Sequence, residues 1–157
     1  MGLELRSYTK ADFADLYALD QRCFPPGIAY SKRMLGYFLR MPQGRCILAR
    51  ASDAPSQRGA SLAGFIITEE EPPLGHILTL DVAEEYRRQR VGTQLLARCE
   101  EDLASRGVAE IVIETSVENA PGIAFWRQHG FRQVGILPRY YLGKVDAYEM
   151  RKNIDAA

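Results

Sequence analysis

What this chain lacks narrows its function before any motif is read. It has only three cysteines, Cys23, Cys46 and Cys99, an odd number with no CxxC pair. That argues against a disulfide framework or a zinc site, so no metal is expected, and it predicts a reducing, cytoplasmic setting. Its 20 basic and 20 acidic residues cancel to a net charge of zero. Nucleic acid and anionic membrane are therefore not expected as partners. No apolar run reaches membrane-spanning length, and "MGLELRSYTKADF" has no signal-peptide character. There is no internal repeat, no low-complexity segment and no long linker. No strongly acidic run is present to collect a polycation such as an aminoglycoside, although Glu69, Glu70 and Glu71 form a small acidic cluster.

What is present is an ordinary globular composition, 46% hydrophobic and 25% charged over 157 residues. That is the size of one domain with a full core, residues 1–157. "LELRSY" alternates apolar and polar and predicts a first strand. Thr9 caps a helix through "KADFADLYALDQRCF", which Pro25 and Pro26 must break. Ser31 caps a short second helix through Phe38 and Leu39. "RCILARAS" and "SLAGFIITEE" predict a strand pair around the polar loop "DAPSQRG". "PPLG" is a turn, and "HILTLDV" a buried strand. A third helix runs from about Val91 to Arg106 and stops at Gly107. "AEIVIETSV" is another buried strand, and "APGIAFWRQHG" a helix ended by Gly130. "RQVGIL" and "DAYEMRK" are late strands joined by "PRYYLGKV". The order βααβββαβαββ predicts an α/β chain, a mixed sheet with helices on both faces.

The junction "EYRRQRVGTQLL", residues 85–96, carries the first chemistry. A strand running into a helix start points backbone N–H groups and the positive helix end at one spot. Arg87, Arg88 and Arg90 line that spot. By itself this is either an anion site or a basic helix start facing water.

"LDVAEEYRRQRVGTQLL" resembles the acetyl-CoA loop of the GNAT N-acetyltransferase superfamily. That loop runs from a strand and a valine into Arg/Gln-x-x-Gly-x-Gly/Ala and a helix. Arg87 takes the first position and Gly92 the last, while Arg90 replaces the middle glycine and Glu84 a common proline. "NAPGIAFWRQHGFRQVG" resembles a later segment of the family at Asn119, Ala124, Gly130 and Phe131, with Trp126 where tyrosine is usual. "PRYYLGKVDAYEM" is similar to the tail of the ribosomal-protein-alanine and other N-terminal protein acetyltransferases, matching at Tyr140, Tyr141, Asp146, Ala147 and Met150.

The resemblance implies a largely antiparallel sheet of six to seven strands, splayed in the middle and flanked by about four helices. It implies an acetyl-CoA co-substrate, with Arg87, Arg88, Gln89, Arg90, Val91, Gly92 and Thr93 toward the pyrophosphate. Leu80 and Val82 would face the pantetheine arm and thioester, and Asn119 and Trp126 complete the cofactor set. Direct transfer to an amine in a ternary complex needs a base. Glu114 is the candidate, midway along a buried strand where a carboxylate is costly unless used, with His76 second. Tyr141 is the candidate acid, because indole does not readily give up its proton. Tyr140 and Tyr141 would hold the acceptor backbone, with Phe24, Pro25 and Ile28 walling its first side chain. A free α-amine has a pKa of about 8 and lysine about 10.4, so neutral lysine costs roughly 3 kcal/mol more at neutral pH. A protein N-terminus is therefore the expected acceptor. The alternatives are a small amine or an internal lysine, or a CoA-binding regulatory module without catalysis. Monomer and homodimer both remain open. Arg90 is expected at negative φ, which would let it replace glycine without strain.

Overall fold

A computed structural model of the chain describes residues 2–52 and 61–154, so the polar loop expected at residues 53–59 lies outside the described residues. The elements follow the expected order: β1 (Leu3–Ser7), α1 (Phe13–Cys23), α2 (Lys32–Arg40), β2 (Gly44–Ala51), β3 (Ser61–Glu71), β4 (Leu74–Val82), α3 (Val91–Ser105), β5 (Glu110–Ser116), α4 (Ala120–Gln128), β6 (Arg132–Tyr141) and β7 (Val145–Asn153). The seven strands form one mixed sheet in the order β1-β2-β3-β4-β5-β7-β6. β4 and β5 run parallel, while β1–β2, β5–β7 and β6–β7 are antiparallel.

The chain divides into two compact units, residues 1–68 with 79–99, and residues 69–78 with 100–157. In the first, Leu16, Leu35, Leu48, Leu95 and Leu96 are at most 2% exposed. Phe65, Ile66 and Ile67 are buried in succession. Successive strand residues point to opposite faces, so β3 is covered on both sides. At Gly64, β3 lies close against its neighbours. A Cβ there would lie 2.6 Å from the Asp81 carbonyl oxygen and 3.2 Å from Val91 and Leu95. At the start of the chain, the buried Asp12 carboxylate receives Arg6 and Arg50 at 2.8 Å and the Thr9 N–H at 2.9 Å. The Arg6 hydrogen bond leads in holding this carboxyl far below its usual range. Its anchorage is therefore in place above about pH 4 and is lost on acidification.

The second unit is built on β5. Ile111, Val112 and Ile113 are buried in succession, and seven consecutive pairs join β5 to β7 from Glu110↔Asn153 to Ser116↔Ala147. Its ladder to β4 is short, Leu74↔Glu110 to His76↔Val112. Leu74 and Gly75, expected in a turn, are thus already strand, and the turn is only Pro72–Pro73. A second correction concerns "PRYYLGKV", expected to join two strands. Residues 138–141 belong to β6, and only residues 142–144 turn, closed by the pair Tyr141↔Val145. A register shift between Leu137 and Tyr141 takes up Pro138, and the Arg139 N–H leaves the ladder to reach Asp146 Oδ1 at 2.8 Å. β6 is an edge strand, where a proline without an N–H is tolerated.

Gly64→Ala should cost about 1–3 kcal/mol, because backbone oxygen and two packed side chains must give way together. Gly135→Ala, where nothing lies within 4 Å, should change stability by under about 0.5 kcal/mol. Urea unfolding of both variants against the parent checks the difference.

Candidate active site

The candidate residues fall in both units, and each group is built by local rules. In the first unit, β4 ends at Val82 and the Ala83 N–H is fixed to the Ala63 carbonyl at 2.8 Å. One 3-10 turn follows, Glu84–Tyr86, and Arg87 returns to extended backbone at φ −65 and ψ 151. The chain then enters α3 through two left-handed residues, Arg88 at φ 68 and Arg90 at φ 61. The expectation of a negative φ at Arg90 is overturned. The reason is geometric: the turn between a 3-10 segment and α3 needs reversed backbone there, which glycine adopts freely and arginine adopts at a cost. In a turn, left-handed residues let successive N–H groups converge on an anion. The first turn of α3, at Val91, Gly92 and Thr93, adds the positive end of a helix. Arg87, Arg88, Gln89 and Arg90 are exposed around this turn, and Gly92 is buried beneath it. Gln89 Nε2 donates to the Glu85 carbonyl at 3.2 Å, and Arg22 holds the Glu85 carboxylate at 2.9 Å.

Leu80 and Val82 are half-buried on β4. The Cys23 thiol donates to the Val82 carbonyl at 3.5 Å, and burial pushes that thiol up to about 11. The segment after α1 leaves the helix at Phe24, φ −130 and ψ 148, then turns at Pro25, whose carbonyl accepts from Ile28 and Ala29 at 3.1 and 3.0 Å. Phe24 and Ile28 are half-buried and Pro25 is exposed.

In the second unit, three residues singled out from sequence meet. His76 on β4 is the register partner of Val112 on β5. Glu114, two residues along β5, shares the face of Val112 by strand alternation. Parallel pairing thus brings His76 Nε2 to 2.7 Å from Glu114 Oε1. The same oxygen accepts from the Tyr140 hydroxyl at 3.3 Å. Glu114 Oε2 accepts from no described residue. Against an ionised Glu114, Nε2 is the donor in that contact. The two candidate bases are thus bonded to each other, the His76 side chain 28% exposed against 15% for Glu114. Tyr141 stands edge-on to Tyr140 with ring centroids 4.9 Å apart. Burial first, then Tyr140 and Glu114, push the Tyr141 phenol far above its ordinary value. Burial and then Glu114 raise that of Tyr140. Both phenols are thus held as donors.

Asn119 is the N-cap of α4, its Oδ1 accepting from the Gly122 N–H at 3.1 Å. Trp126 is 8% exposed, edge-on to Phe125 and Phe131 with centroids at 5.1 and 5.0 Å. Its ring is a core element of this unit. Of the acidic cluster, Glu70 is buried and paired with Arg106 Nε at 2.6 Å.

Sequence reasoning missed a pair of buried acids, Asp20 and Asp81. The signal was available. Asp20 sits at helical spacing from Leu16 among apolar positions of α1, and Asp81 interrupts an apolar strand.

The acetyltransferase (GNAT) family model matches residues 13–131. N-alpha-acetyltransferase 30 of Schizosaccharomyces pombe is 38% identical over 74 residues, 47% of this chain and 49% of that protein. An N-alpha-acetyltransferase of Sulfurisphaera tokodaii is 34% identical over 91 residues, 55% of this chain and 54% of that protein. The chain spans about half the length of the curated relatives it matches. The crystal structure of the ribosomal-protein-S18-alanine N-acetyltransferase from Escherichia coli superposes with a TM-score of 0.81 at 26% identity, covering 99% of this chain and 96% of that one.

With φ at 61 for Arg90, Arg90→Gly should relieve left-handed strain and stabilise the protein by up to about 1 kcal/mol. Arg87→Gly, at an ordinary extended position, should instead destabilise slightly through unfolded-state entropy. Thermal unfolding of the two variants gives opposite signs if the backbone carries the effect.

Proposed function

The chain belongs to the acetyltransferase (GNAT) family, and on that premise we propose that it acetylates the α-amino group of a protein or peptide N-terminus. The whole chain acts as one acetyl-CoA-dependent catalytic domain. Acetyl-CoA supplies the activated acyl group. The neutral amine attacks the thioester carbonyl, the C–N bond forms as the C–S bond breaks, the amine gives up its proton and the thiolate leaves.

The observation that carries this reading is Glu114 Oε1, bonded by His76 at 2.7 Å and by Tyr140 at 3.3 Å. A carboxylate with one oxygen fixed and the other open to water is suited to take the amine's proton through a water molecule. His76 orients that carboxylate through the 2.7 Å contact of its Nε2. Tyr141 donates toward the departing sulfur, since Trp126 has no acidic proton to give and is packed in the core. Tyr140 positions the acceptor backbone. Phe24, Pro25 and Ile28 wall its first side chain.

The loop of residues 83–93 fits a pyrophosphate on two independent features, reversed backbone at Arg88 and Arg90 and three exposed guanidiniums at a helix start. Arg87, Arg88, Gln89 and Arg90 with the N–H groups of Val91, Gly92 and Thr93 hold it. The backbone at Leu80 and Val82 meets the pantetheine arm. The Val82 N–H faces the thioester oxygen, where a donor to developing charge contributes roughly 3 kcal/mol. Asn119 acts by fixing the start of α4. No described helix is long and apolar enough to cross a membrane, and a cytoplasmic setting suits the three free cysteines.

The α-amine is preferred over lysine because one carboxylate assisted by water gives modest basicity, enough for a group of pKa about 8. A panel of peptides with free or blocked N-termini, each with and without lysine, reads this directly by CoA release. Free N-termini should turn over regardless of lysine. Turnover confined to the blocked, lysine-containing peptide would overturn the acceptor, and CoA binding without release on any amine would overturn catalysis. Glu114→Gln should lower kcat by about a hundredfold or more with CoA affinity retained.

A further inference from the structure

Asp20 and Asp81, the buried acids, are 0% and 1% exposed. One oxygen of each has a donor. The Tyr30 N–H gives to Asp20 Oδ2 at 2.7 Å, and the Thr79 hydroxyl to Asp81 Oδ1 at 2.5 Å. The other two oxygens, Asp20 Oδ1 and Asp81 Oδ2, are buried and receive no hydrogen bond from a described donor. The two carboxyls are hydrogen-bonded to each other, which leaves these oxygens for the contact. Two carboxylates cannot share such a site, whereas a carboxylic acid and a carboxylate can, with one proton between them.

The surroundings favour that state. Burial, then the hydrogen bond to Asp20 and its charge, drive the Asp81 carboxyl well above its usual range, with the Thr79 hydrogen bond acting the other way. The titratable groups facing the pair are thiols, Cys23 on α1 and Cys46 on β2, both raised chiefly by burial. Arg87 acts on Cys23, and Asp12 acts on Cys46. A continuous chain of bonds, Tyr30 N–H to Asp20 to Asp81 to Thr79, thus runs from the segment after α1 into β4.

We propose that Asp20 and Asp81 are a positioning pair, whose single shared proton holds the segment carrying Phe24, Pro25 and Ile28 to strand β4 and so sets the wall that meets the acceptor's first side chain. The acceptor half of this statement rests on the amine transfer proposed above; the shared proton does not. The sign of the pH dependence follows. An unfolded chain releases this proton near pH 4, while the folded chain retains it. The pair's contribution is complete below about pH 4 and is drained as the pH rises toward the folded value.

The test uses Asp81→Asn, Asp20→Asn and Asp20→Ala. Each asparagine reproduces the acid, its amide donating to the remaining carboxylate, and should fold. Asp20→Ala removes the bonding group and loses the link. Above about pH 5 the wild-type melting temperature should fall by roughly 3–5 °C per pH unit more than that of Asp81→Asn, whose charge at the pair is fixed. Asp20→Ala should be less stable than Asp20→Asn, which keeps the link. Parallel melting curves for wild type and Asp81→Asn, or equal stability of Asp20→Ala and Asp20→Asn, would overturn the shared proton. With a free-N-terminal peptide, Asp20→Ala should raise the acceptor KM by about tenfold while kcat changes far less. An unchanged KM, or an equal loss in kcat, would overturn the positioning role. If wild type turns over no amine, the preceding functional reading fails, and the melting curves still decide the pair.

Discussion

The seven-pair ladder between β5 and β7 is the constraint on which the candidate chemistry depends. It runs without interruption from Glu110↔Asn153 to Ser116↔Ala147, and so fixes the height and face of Glu114. Each partner of that carboxylate arrives by pairing to this ladder. His76 comes through the short parallel register of β4 with β5, and Tyr140 through the β6–β7 hairpin. A one-residue slip in either register would turn His76 or Tyr140 to the opposite face and leave a half-buried carboxylate without donors. The apolar run Ile111–Ile113 anchors β5 on both faces and makes such a slip costly.

The basic loop illustrates a different economy of structure. Arg88 and Arg90 adopt backbone that favours glycine, so the turn is maintained by its ends. The Ala83–Ala63 hydrogen bond fixes one end, and buried Val91 and Leu95, packed beside Gly64, fix the other. Strain concentrated in a turn that also gathers guanidiniums and a helix start is a common mark of functional loops. In exchange for the strain, each position gains a side-chain cation that glycine would not provide.

Three buried aspartates show how surroundings decide the state of one side chain. Asp12 meets two arginines and a backbone N–H, and its proton is held off strongly. Asp20 and Asp81 meet each other and one neutral donor apiece, and the Asp81 carboxyl is driven well above its usual range. Composition treats all three alike. Only the partners, contributed by β1 and β2 for Asp12 and by α1 and β4 for the pair, separate an anion from an acid.

Local periodicity and punctuation in the sequence were enough for element order. Proline ended α1, Ser31 capped α2, and Gly107 and Gly130 stopped α3 and α4, because these residues act on their own backbone. The motif residues of the basic loop, Glu114 and the tyrosine pair were legible for the same reason: spacing along one strand or loop is a local property. What sequence misjudged was set by neighbours far along the chain. Pro138 read as a strand break, yet it sits in a bulge on an edge strand where no N–H is missed. Arg90 read as conformationally ordinary, yet the turn between two fixed ends forces it left-handed. His76 read as an alternative base to Glu114, yet the two are bonded to each other, and Asp20 and Asp81 were passed over. Whether a titratable side chain is solvated, paired or sharing a proton depends on what tertiary packing brings within about 3 Å of it, and no spacing along the chain encodes that distance.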